Sequence, residues 1–554
     1  MLTRLLFLAV AALGFPAAAL AQPDKQLSEA APLYEIMLGE IALQRGEHAL
    51  AARTYNDLAR RTRDPRIAER AVQVASQGKL LDLAIQAART WLEIEPGSPK
   101  VLVELATLHV AAKKVNEAEP YLDKLLATPG VSVERAFLQL NRLLAGNSDR
   151  AANARVVRNL AAKHPNLAES HFAVAQAAAL ASDDKAALAS ARRAAEMRPE
   201  WEAPVVLEAQ VLQKRSTTDA AKRLGQFVEK NPASREGRLN YARALILDKR
   251  VAEARKQFET LLAGDPRDTQ LIYMVGVTAL QLKDYAVAEA SMKRLVDSPD
   301  YRDPDGARYF LGQIAEEQKQ WPRAIQWYEE IQEGEHALPA RMRTANAMAK
   351  QGRLDDARAY LRRVSEDNPG QEAQLLVTEA QLLRDATRHQ EAFDLLGKAL
   401  QSQPDQPDLL YDYALTAEKL EKFDVLETQL RKLIQVRPEH AHAYNALGYS
   451  FAERNTRLPE ARKLIEKALE LSPEDYFIID SLGWVQYREG DLKAARETLQ
   501  RAYNGRPDAE IGAHLGEVLW MLGERAEANR IWQEALKTAP ENETLLKTIK
   551  RLRK

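Results

Sequence analysis

Prolines recur along this 554-residue chain at a nearly constant spacing. Within two runs they lie 33 to 35 residues apart, and the larger gaps correspond to two or three such intervals. A fixed period of this length is typical of repeat architectures, in which each unit buries its apolar face against its neighbours. The period therefore predicts a stack of similar units rather than about three or four globular domains. The prolines of the two runs are Pro165, Pro199, Pro232, Pro266, Pro369, Pro404, Pro438, Pro473, Pro507 and Pro540.

Small residues fill two further positions of each unit when the proline is placed at position 32. Position 8 is usually glycine or alanine, as in Gly39, Ala106, Ala175, Ala242, Gly276, Gly312, Ala345, Ala380, Ala414, Gly448, Gly483 and Gly516. Position 20 is alanine in nearly every unit, and only Asn153 and Leu426 depart from it. We expect positions 8 and 20 to face each other where the two helices of a unit approach most closely. Close approach would explain why a glycine is kept inside a helix at a cost of about 1 kcal/mol relative to alanine.

The composition agrees with a helical stack, because leucine, alanine, glutamate and arginine dominate and clusters of β-branched residues are scarce. The sequence predicts an all-α fold: a right-handed superhelical solenoid of about fifteen helix pairs, spanning residues 32–540. The basic segment "ENETLLKTIKRLRK", residues 541–554, is predicted to be a capping helix. The fourth, sixth and twelfth units match the pattern least well.

The N-terminus, "MLTRLLFLAVAALGFPAAALAQ", has the pattern of a secretory signal peptide. Arg4 precedes an apolar run, and an A-x-A motif ends at Ala21. We predict a signal peptide over residues 1–21, a short segment over 22–31, and a periplasmic or otherwise exported mature protein. The run is broken by a glycine and a proline and is short for a membrane span, so an uncleaved anchor is the lesser alternative. No later stretch is apolar enough to cross a bilayer.

The sequence contains none of the common catalytic motifs. It has no cysteine, which excludes thiol chemistry, disulfides and lipidation at a cysteine. His440 and His442 are two residues apart, so on a helix they point in different directions and do not suit one metal ion. The formal net charge of −1 and the absence of long charge runs argue against a nucleic-acid partner. We therefore predict a protein that is not an enzyme and needs no cofactor or metal.

The surface of the predicted A helices, the first helix of each pair, offers the candidate binding site. In a stack of this kind, positions 2, 5, 9, 12 and 13 face a central groove, where exposed aromatic residues are informative. Aromatic side chains with interleaved carboxylates suit an extended or helical protein segment. The alternative is that the late tryptophans simply pack on the next A helix. The predicted groove residues are Tyr273, Tyr309, Tyr411, Asn445, Tyr449, Phe477, Asp480, Trp484, Tyr487, Glu517 and Trp520.

The period and the small-residue columns resemble those of the tetratricopeptide repeat superfamily over nearly all of the mature length. The resemblance implies a scaffold that binds proteins. The subtype that clamps a C-terminal carboxylate is disfavoured, because Asp480 and Glu517 stand where that subtype has cationic or amide side chains.

The C-terminal third, including "DSLGWVQYREGDLKAARETLQRAY" and "AHLGEVLWMLGERAEANRIWQEAL", also resembles periplasmic repeat adaptors of proteobacterial carboxyl-terminal processing proteases. That resemblance implies a scaffold that presents substrates to a periplasmic serine protease. The known adaptor is a lipoprotein, and this chain has no cysteine to lipidate. An alternative function is an envelope assembly scaffold for polysaccharide export or pilus biogenesis.

Overall fold

The computed structural model describes the backbone of residues 23–553 and the side chains of residues 32–553. Within that range the chain is all-α, with 31 α-helices, two single-turn 3₁₀ helices and no strand. It divides into two compact units, one up to Leu282 and one from Lys283. The predicted signal peptide, residues 1–21, lies outside the described residues.

Unit 1 consists of seven antiparallel helix pairs followed by one further helix. A 3₁₀ turn at Leu144–Gly146 extends the seventh helix. The helices are α1 (Pro23–Gln44), α2 (His48–Thr62), α3 (Pro65–Gln77), α4 (Leu81–Ile94), α5 (Pro99–Ala111), α6 (Val115–Ala127), α7 (Val133–Leu143), α8 (Arg150–Ala161), α9 (Ala168–Leu180), α10 (Asp184–Met197), α11 (Glu202–Gln213), α12 (Thr217–Lys230), α13 (Arg235–Leu247), α14 (Val251–Gly264) and α15 (Thr269–Gln281).

Unit 2 begins with a single helix, continues with seven pairs and ends with a short helix. The second 3₁₀ turn, Pro369–Gln371, precedes its sixth helix. The helices are α16 (Tyr285–Val296), α17 (Pro304–Glu317), α18 (Trp321–Glu329), α19 (Ala337–Lys350), α20 (Leu354–Asp367), α21 (Glu372–Asp385), α22 (His389–Ser402), α23 (Pro407–Lys419), α24 (Phe423–Val436), α25 (Ala441–Glu453), α26 (Leu458–Leu471), α27 (Tyr476–Arg488), α28 (Leu492–Gly505), α29 (Ala509–Met521), α30 (Arg525–Thr538) and α31 (Glu543–Leu552).

These helices confirm the predicted all-α solenoid fold and agree with the predicted number of pairs. The odd-numbered helices are the A helices, and the even-numbered ones are the B helices. The first A helix begins at Pro23 and continues through Pro32, so it takes in most of the segment expected to precede the repeats. The last helix, α31, lies within the predicted capping segment and packs on α29 and α30, with Leu545 fully buried.

The turn from an A helix to its B helix has the same hydrogen-bond pattern in many pairs. Between α27 and α28, the N–H of Gly490 donates to Tyr487 O and the N–H of Asp491 donates to Gln486 O, which is the Schellman pattern. Gly490 has a φ of +91°, in the left-handed region. In several other turns a lysine occupies this place, namely Lys79, Lys113, Lys249, Lys283 and Lys319.

The glycine at position 8 makes room mainly for the large side chain at position 24 of the same unit. A Cβ placed on Gly483 would lie 2.6 Å from Leu499 Cγ, so Leu499 rather than Ala495 is the nearest neighbour. At Gly448 a Cβ would also meet the backbone oxygen of Ala461, at position 20, at 2.8 Å. The expected contact between positions 8 and 20 therefore explains only in part why position 8 is glycine.

The same pairing recurs wherever position 24 is aromatic and position 8 is glycine. A Cβ on the glycine would overlap the aromatic ring in the pairs Gly39–Tyr55, Gly312–Tyr328 and Gly516–Trp532. The three rings are almost completely buried. In these three repeats the glycine therefore makes room for the ring, whereas Ala242 and Phe258, both fully buried, show that a phenylalanine at position 24 can also pack with an alanine at position 8.

Two of the irregular units are held by specific polar contacts in place of small residues. In the sixth unit, position 8 is Glu208, whose buried carboxylate pairs with Arg192 Nε at 2.6 Å and Arg223 Nε at 2.5 Å. In the fourth unit, Asn153 replaces the alanine of position 20. Its Nδ2 donates to Leu144 O at 3.0 Å, so a hydrogen bond ties the two helices together.

Candidate functional site

Four consecutive A helices of unit 2, α25, α27, α29 and α31, pack side by side and bring several predicted groove residues together. Hydrogen bonds and ring contacts connect them from helix to helix. We call this network the C-terminal ladder, and it consists of Tyr449, Glu453, Asp480, Trp484, Tyr487, His514, Glu517 and Arg551.

His514 is at the centre of the first part of the ladder. Its Nδ1 lies 2.9 Å from Asp480 Oδ2, and its ring stacks on Trp484 with 4.2 Å between centroids. The indole N–H of Trp484 donates to Glu453 Oε2 at 2.8 Å. The hydroxyl of Tyr449 lies 3.5 Å from His514 Nε2. The Asp480–His514 and Trp484–Glu453 contacts thus join adjacent A helices, and the Tyr449–His514 contact spans from α25 to α29.

Glu517 is at the centre of the second part. Only 2% of the residue is exposed, and a buried carboxylate is costly unless it is paired. Tyr487 Oη donates to Glu517 Oε1 at 3.0 Å, and an Arg551 guanidinium N–H donates to Glu517 Oε2 at 2.5 Å. Burial and the nearby Glu517 carboxylate raise the pKa of Tyr487 to about 12. Arg551 comes from α31, so the last helix supplies a charge that the preceding repeat needs.

The expectation that Trp484 is exposed for docking is wrong. Only 4% of Trp484 is accessible, and the alternative reading, packing on the neighbouring A helices, describes it correctly. Asp480 and Glu517 are also buried. Their carboxylates are turned towards His514 and Arg551 and are not available to a partner.

The accessible aromatic residues of this region lie beside the ladder. Phe477 is 38% exposed, and the Arg506 guanidinium lies 4.7 Å from its ring centroid. Trp520 is half-buried, with the Arg525 guanidinium 5.1 Å from its centroid. Asn445 is also half-buried, and its Oδ1 has no hydrogen-bond partner within residues 32–553. These three residues remain predicted contact points.

His514 has a raised pKa because of the charges around it. Burial alone would lower the pKa, but the carboxylates of Asp480, Glu453 and Glu510 outweigh burial and raise it above the ordinary value. The folded state therefore favours the imidazolium form, which pairs with Asp480.

This shift predicts that the ladder weakens as the pH rises. In the unfolded chain His514 has a pKa of about 6.5, so the stabilisation is complete below that pH and is lost as the pH passes the higher folded-state pKa. We expect the free energy of unfolding, measured by urea denaturation between pH 6 and 9, to fall with pH more steeply in the native protein than in Asp480→Asn. Equal slopes in the two proteins would contradict an imidazolium at position 514.

An open cavity of about 650 Å³ lies on the A helices α17 and α19 of unit 2 and contains a predicted groove residue, Tyr309. We call it the Tyr309 cavity. Its side chains are apolar on one side and charged at the rim, where Glu317 and Lys350 are exposed. The lining residues are Tyr309, Glu316, Glu317, Trp321, Pro339, Met342, Arg343, Asn346, Ala347 and Lys350.

Arg343 fixes the polar wall of the Tyr309 cavity. Its Nε donates to Tyr309 Oη at 2.9 Å, and a terminal N–H pairs with Glu316. The other predicted tyrosines do not line this cavity. Tyr411 is half-buried on α23, where it packs against His440 with 5.4 Å between centroids, and Tyr273 is half-buried on α15 in unit 1.

Within the described residues, no group of three or more histidines and carboxylates is placed to hold a metal ion. None of the helices described in residues 23–553 combines the length and the apolar character that a membrane span needs.

Comparison with known proteins places these features in a family. Two family models described as tetratricopeptide repeat match the chain, one at residues 36–99, 273–339 and 411–476 and the other at 211–275 and 317–380. A TPR repeat-containing protein of Pseudomonas aeruginosa is 32% identical over 486 residues, which cover 88% of this chain and 82% of that protein. The chain belongs to the tetratricopeptide repeat family. Repeats of this family mediate the binding of protein partners.

Solved tetratricopeptide structures are also similar, at lower identity. Yeast Tom70 is 16% identical, with 95% of this chain and 96% of Tom70 covered and a TM-score of 0.34. The Thermus thermophilus protein TTC0263 is 23% identical, with 32% of this chain and 96% of that protein covered and a TM-score of 0.30. These TM-scores are too low to support an argument about shape or function.

The tetratricopeptide register explains which site residues the sequence missed. His514 and Arg343 both occupy position 6 of their repeats, which was not among the positions expected to face the groove. Glu453 occupies position 13, which is one of the positions expected to face the groove. A single carboxylate at that position did not distinguish Glu453 from other surface charges. Arg551 follows the last repeat and has no register position. A position-6 cation pairs with a carboxylate on the preceding A helix in more than one repeat, as in Arg343 with Glu316. This pairing could have indicated His514 and Arg343 as site residues.

Proposed function

We propose that the chain is a non-catalytic scaffold that binds protein segments on the A-helix face of unit 2. The Tyr309 cavity is its main anchor point. Its volume of about 650 Å³ accommodates a large apolar side chain of a partner, with Tyr309, Trp321, Pro339 and Met342 as the apolar wall.

The Tyr309 cavity is the observation that supports this function most directly. It is open, and seven of its ten lining residues occupy the repeat positions expected to face a ligand: positions 5, 12 and 13 of one repeat and positions 2, 5, 9 and 13 of the next. The exposed Glu317 and Lys350 at its rim provide one charge of each sign for orienting the segment. Phe477, Trp520 and Asn445 are proposed as further contacts, and the buried ladder residues as their support.

We further propose that this scaffold is periplasmic and acts as an adaptor for a carboxyl-terminal processing protease. The apolar N-terminal sequence with its A-x-A motif supports export. The resemblance of the C-terminal third to protease adaptors supports the choice of partner. Envelope assembly, for polysaccharide export or pilus biogenesis, is the alternative that the same experiment distinguishes.

The test uses the purified mature protein and a purified periplasmic carboxyl-terminal processing protease. We expect the two to form a complex, and Met342→Ala to weaken it by about tenfold or more, because the partner loses apolar contact in the cavity. Met348→Ala is the matched control, since Met348 is half-buried on the same helix but does not line the cavity. Affinity is measured by biolayer interferometry, and circular dichroism melting confirms that both variants fold.

A photo-crosslinking residue at position 342 then identifies what enters the cavity. Crosslinking to the protease or its substrate supports the adaptor role. Crosslinking only to a polysaccharide-export or pilus component rejects the adaptor role and supports the assembly scaffold. Equal affinities of Met342→Ala and Met348→Ala for every partner, with no crosslink at 342, would reject the Tyr309 cavity as the docking site.

A further inference from the structure

The first helix of unit 1, α1, has an exposed apolar face. Within residues 32–44, every exposed side chain of this helix except Gln44 is aliphatic or aromatic. A helix face that stays in water is normally polar, and a continuous apolar patch usually marks an interaction surface. We call this patch the α1 face, and its residues, which are between 38% and 70% exposed, are Leu33, Tyr34, Met37, Leu38 and Ile41.

The carboxylates of α1 point away from this face and are already paired. Glu35 forms an ion pair with Arg61 of α2. Glu40 Oε1 accepts hydrogen bonds from Tyr55 Oη at 2.6 Å and from an Arg70 guanidinium N–H at 2.9 Å. None of the residues of the α1 face carries a charge, so a partner could cover the face without leaving a buried ion unpaired.

The helix that ends unit 2, α31, has the opposite kind of surface. Four of its five exposed residues are charged; the five are Glu543, Leu546, Lys547, Lys550 and Arg551. The ends of a repeat array need polar surfaces to stay soluble, and α31 meets this need whereas α1 does not. Stacking of α1 on the α31 of another copy would desolvate these charges against an apolar surface, which disfavours a head-to-tail filament.

The spacing of the α1 face suits contact with an identical helix. Leu33, Met37 and Ile41 are four residues apart and form one ridge, and Tyr34 and Leu38 form a second ridge beside it. Ridges of this spacing on two helices interdigitate at a crossing angle of about −50°, the commonest helix packing. In an antiparallel crossing centred on Met37, Leu33 of one copy lies against Ile41 of the other, so the same ridge serves both copies.

The area of the α1 face agrees with what a stable dimer needs. Its five side chains expose roughly 500 Å², taking about 200 Å² for a fully exposed large side chain. A standard interface buries about 800 Å² on each partner, and about two thirds of a homodimer interface is apolar. The α1 face is therefore large enough to form the apolar centre of such an interface.

We propose that the α1 face is a dimerisation surface, on which α1 of a second copy of this chain packs about a two-fold axis at Met37. This interface closes on itself and leaves no apolar face for a third copy. The α1 face belongs to unit 1 and the Tyr309 cavity to unit 2, so either proposal can fail without the other.

Sedimentation equilibrium of the full mature chain tests the proposal. Between about 1 and 100 µM we expect a reversible monomer–dimer equilibrium. Met37→Asp places two like charges together at the axis, so the dimer should dissociate about a hundredfold more readily. Leu180→Asp is the matched control, because Leu180 is 58% exposed on α9 in the same unit but lies outside the α1 face. Circular dichroism melting shows that both variants fold.

A single cysteine tests the position of the axis. The native chain has no cysteine, so Met37→Cys introduces the only thiol. A disulfide requires two Cα atoms within about 7 Å, a distance that residues at a two-fold helix crossing can reach. We expect mild oxidation to link Met37→Cys into a covalent dimer and to leave Leu180→Cys monomeric.

The proposal is overturned if the native mature chain remains a monomer at about 100 µM. It is also overturned if Met37→Asp dimerises as well as the native chain, or if Met37→Cys and Leu180→Cys crosslink equally. A photo-crosslinking residue at position 37 then identifies the true occupant. A crosslink to residues 1–21 of the unprocessed chain, or to a different protein, in place of a second copy would assign the α1 face to that segment or protein.

Discussion

Gly516→Ala is expected to lower the free energy of unfolding by about 3 kcal/mol, although alanine is the better helix former. The new Cβ would overlap the ring of Trp532, whose side chain is completely buried and packs against Trp520 with 5.6 Å between centroids. Because the ring has no free space to move into, the two helices of the repeat must separate. Urea denaturation followed by circular dichroism measures the loss.

Two further variants show whether the overlap is the cause. Gly97→Ala meets no atom within 4 Å and should change the free energy of unfolding by less than about 0.5 kcal/mol. The double variant Gly516→Ala with Trp532→Leu recreates the alanine–leucine pair found at Ala345 and Leu361, so it should be more stable than the sum of the two single changes predicts. Strict additivity would contradict the size pairing of positions 8 and 24.

Trp484→Ala is expected to destabilise the protein by about 3 to 5 kcal/mol. The substitution removes a large buried side chain and its stacking on His514, and it leaves the Glu453 carboxylate without its indole donor. Trp520→Ala is the control, because Trp520 is half-buried and its loss leaves a smaller cavity. Urea denaturation of both variants, with tryptophan fluorescence as a local probe, measures the difference.

The opposite result would change the interpretation of the ladder. If Trp484→Ala unfolded like the native protein but no longer captured a partner, Trp484 would be a docking residue that becomes exposed on binding. If Trp520→Ala were the more damaging of the two, the burial of the aromatic residues in α27 and α29 would need a different explanation.

The helices and their pairing were predictable because they depend on a pattern that every repeat contains. Proline near each B-helix end, small residues at positions 8 and 20, and a basic last segment were enough to predict the all-α stack and its capping helix. The partner of the position-8 glycine was assigned incompletely. Position 24 varies from alanine to tryptophan along the chain, so its relation to position 8 is visible only when the two are compared within each repeat.

The candidate site was less predictable because exposure depends on the neighbouring repeat. The register placed Trp484, Asp480 and Glu517 correctly on A helices. It did not show that His514 and Arg551 would cover them. Both covering residues come from a later helix, and a position-6 cation that pairs with the preceding A helix occurs in some repeats but not in others, such as the repeat with Thr378 at that position. In contrast, Tyr309 lines an open cavity because the facing residues of α19, Pro339 and Met342, are short or flexible.

The size pairing of positions 8 and 24 constrains how such a chain can be rearranged by recombination. A crossover in the turn inside a repeat would combine one repeat's A helix with another's B helix, for example Ala175 with Trp532 or Gly516 with Ala191. The first combination overlaps and the second leaves a void, whereas a crossover in the turn after a B helix keeps each pair intact. The heritable module of this protein is therefore the complete helix pair beginning at its A helix, and duplications or shuffled copies should have their breakpoints between repeats.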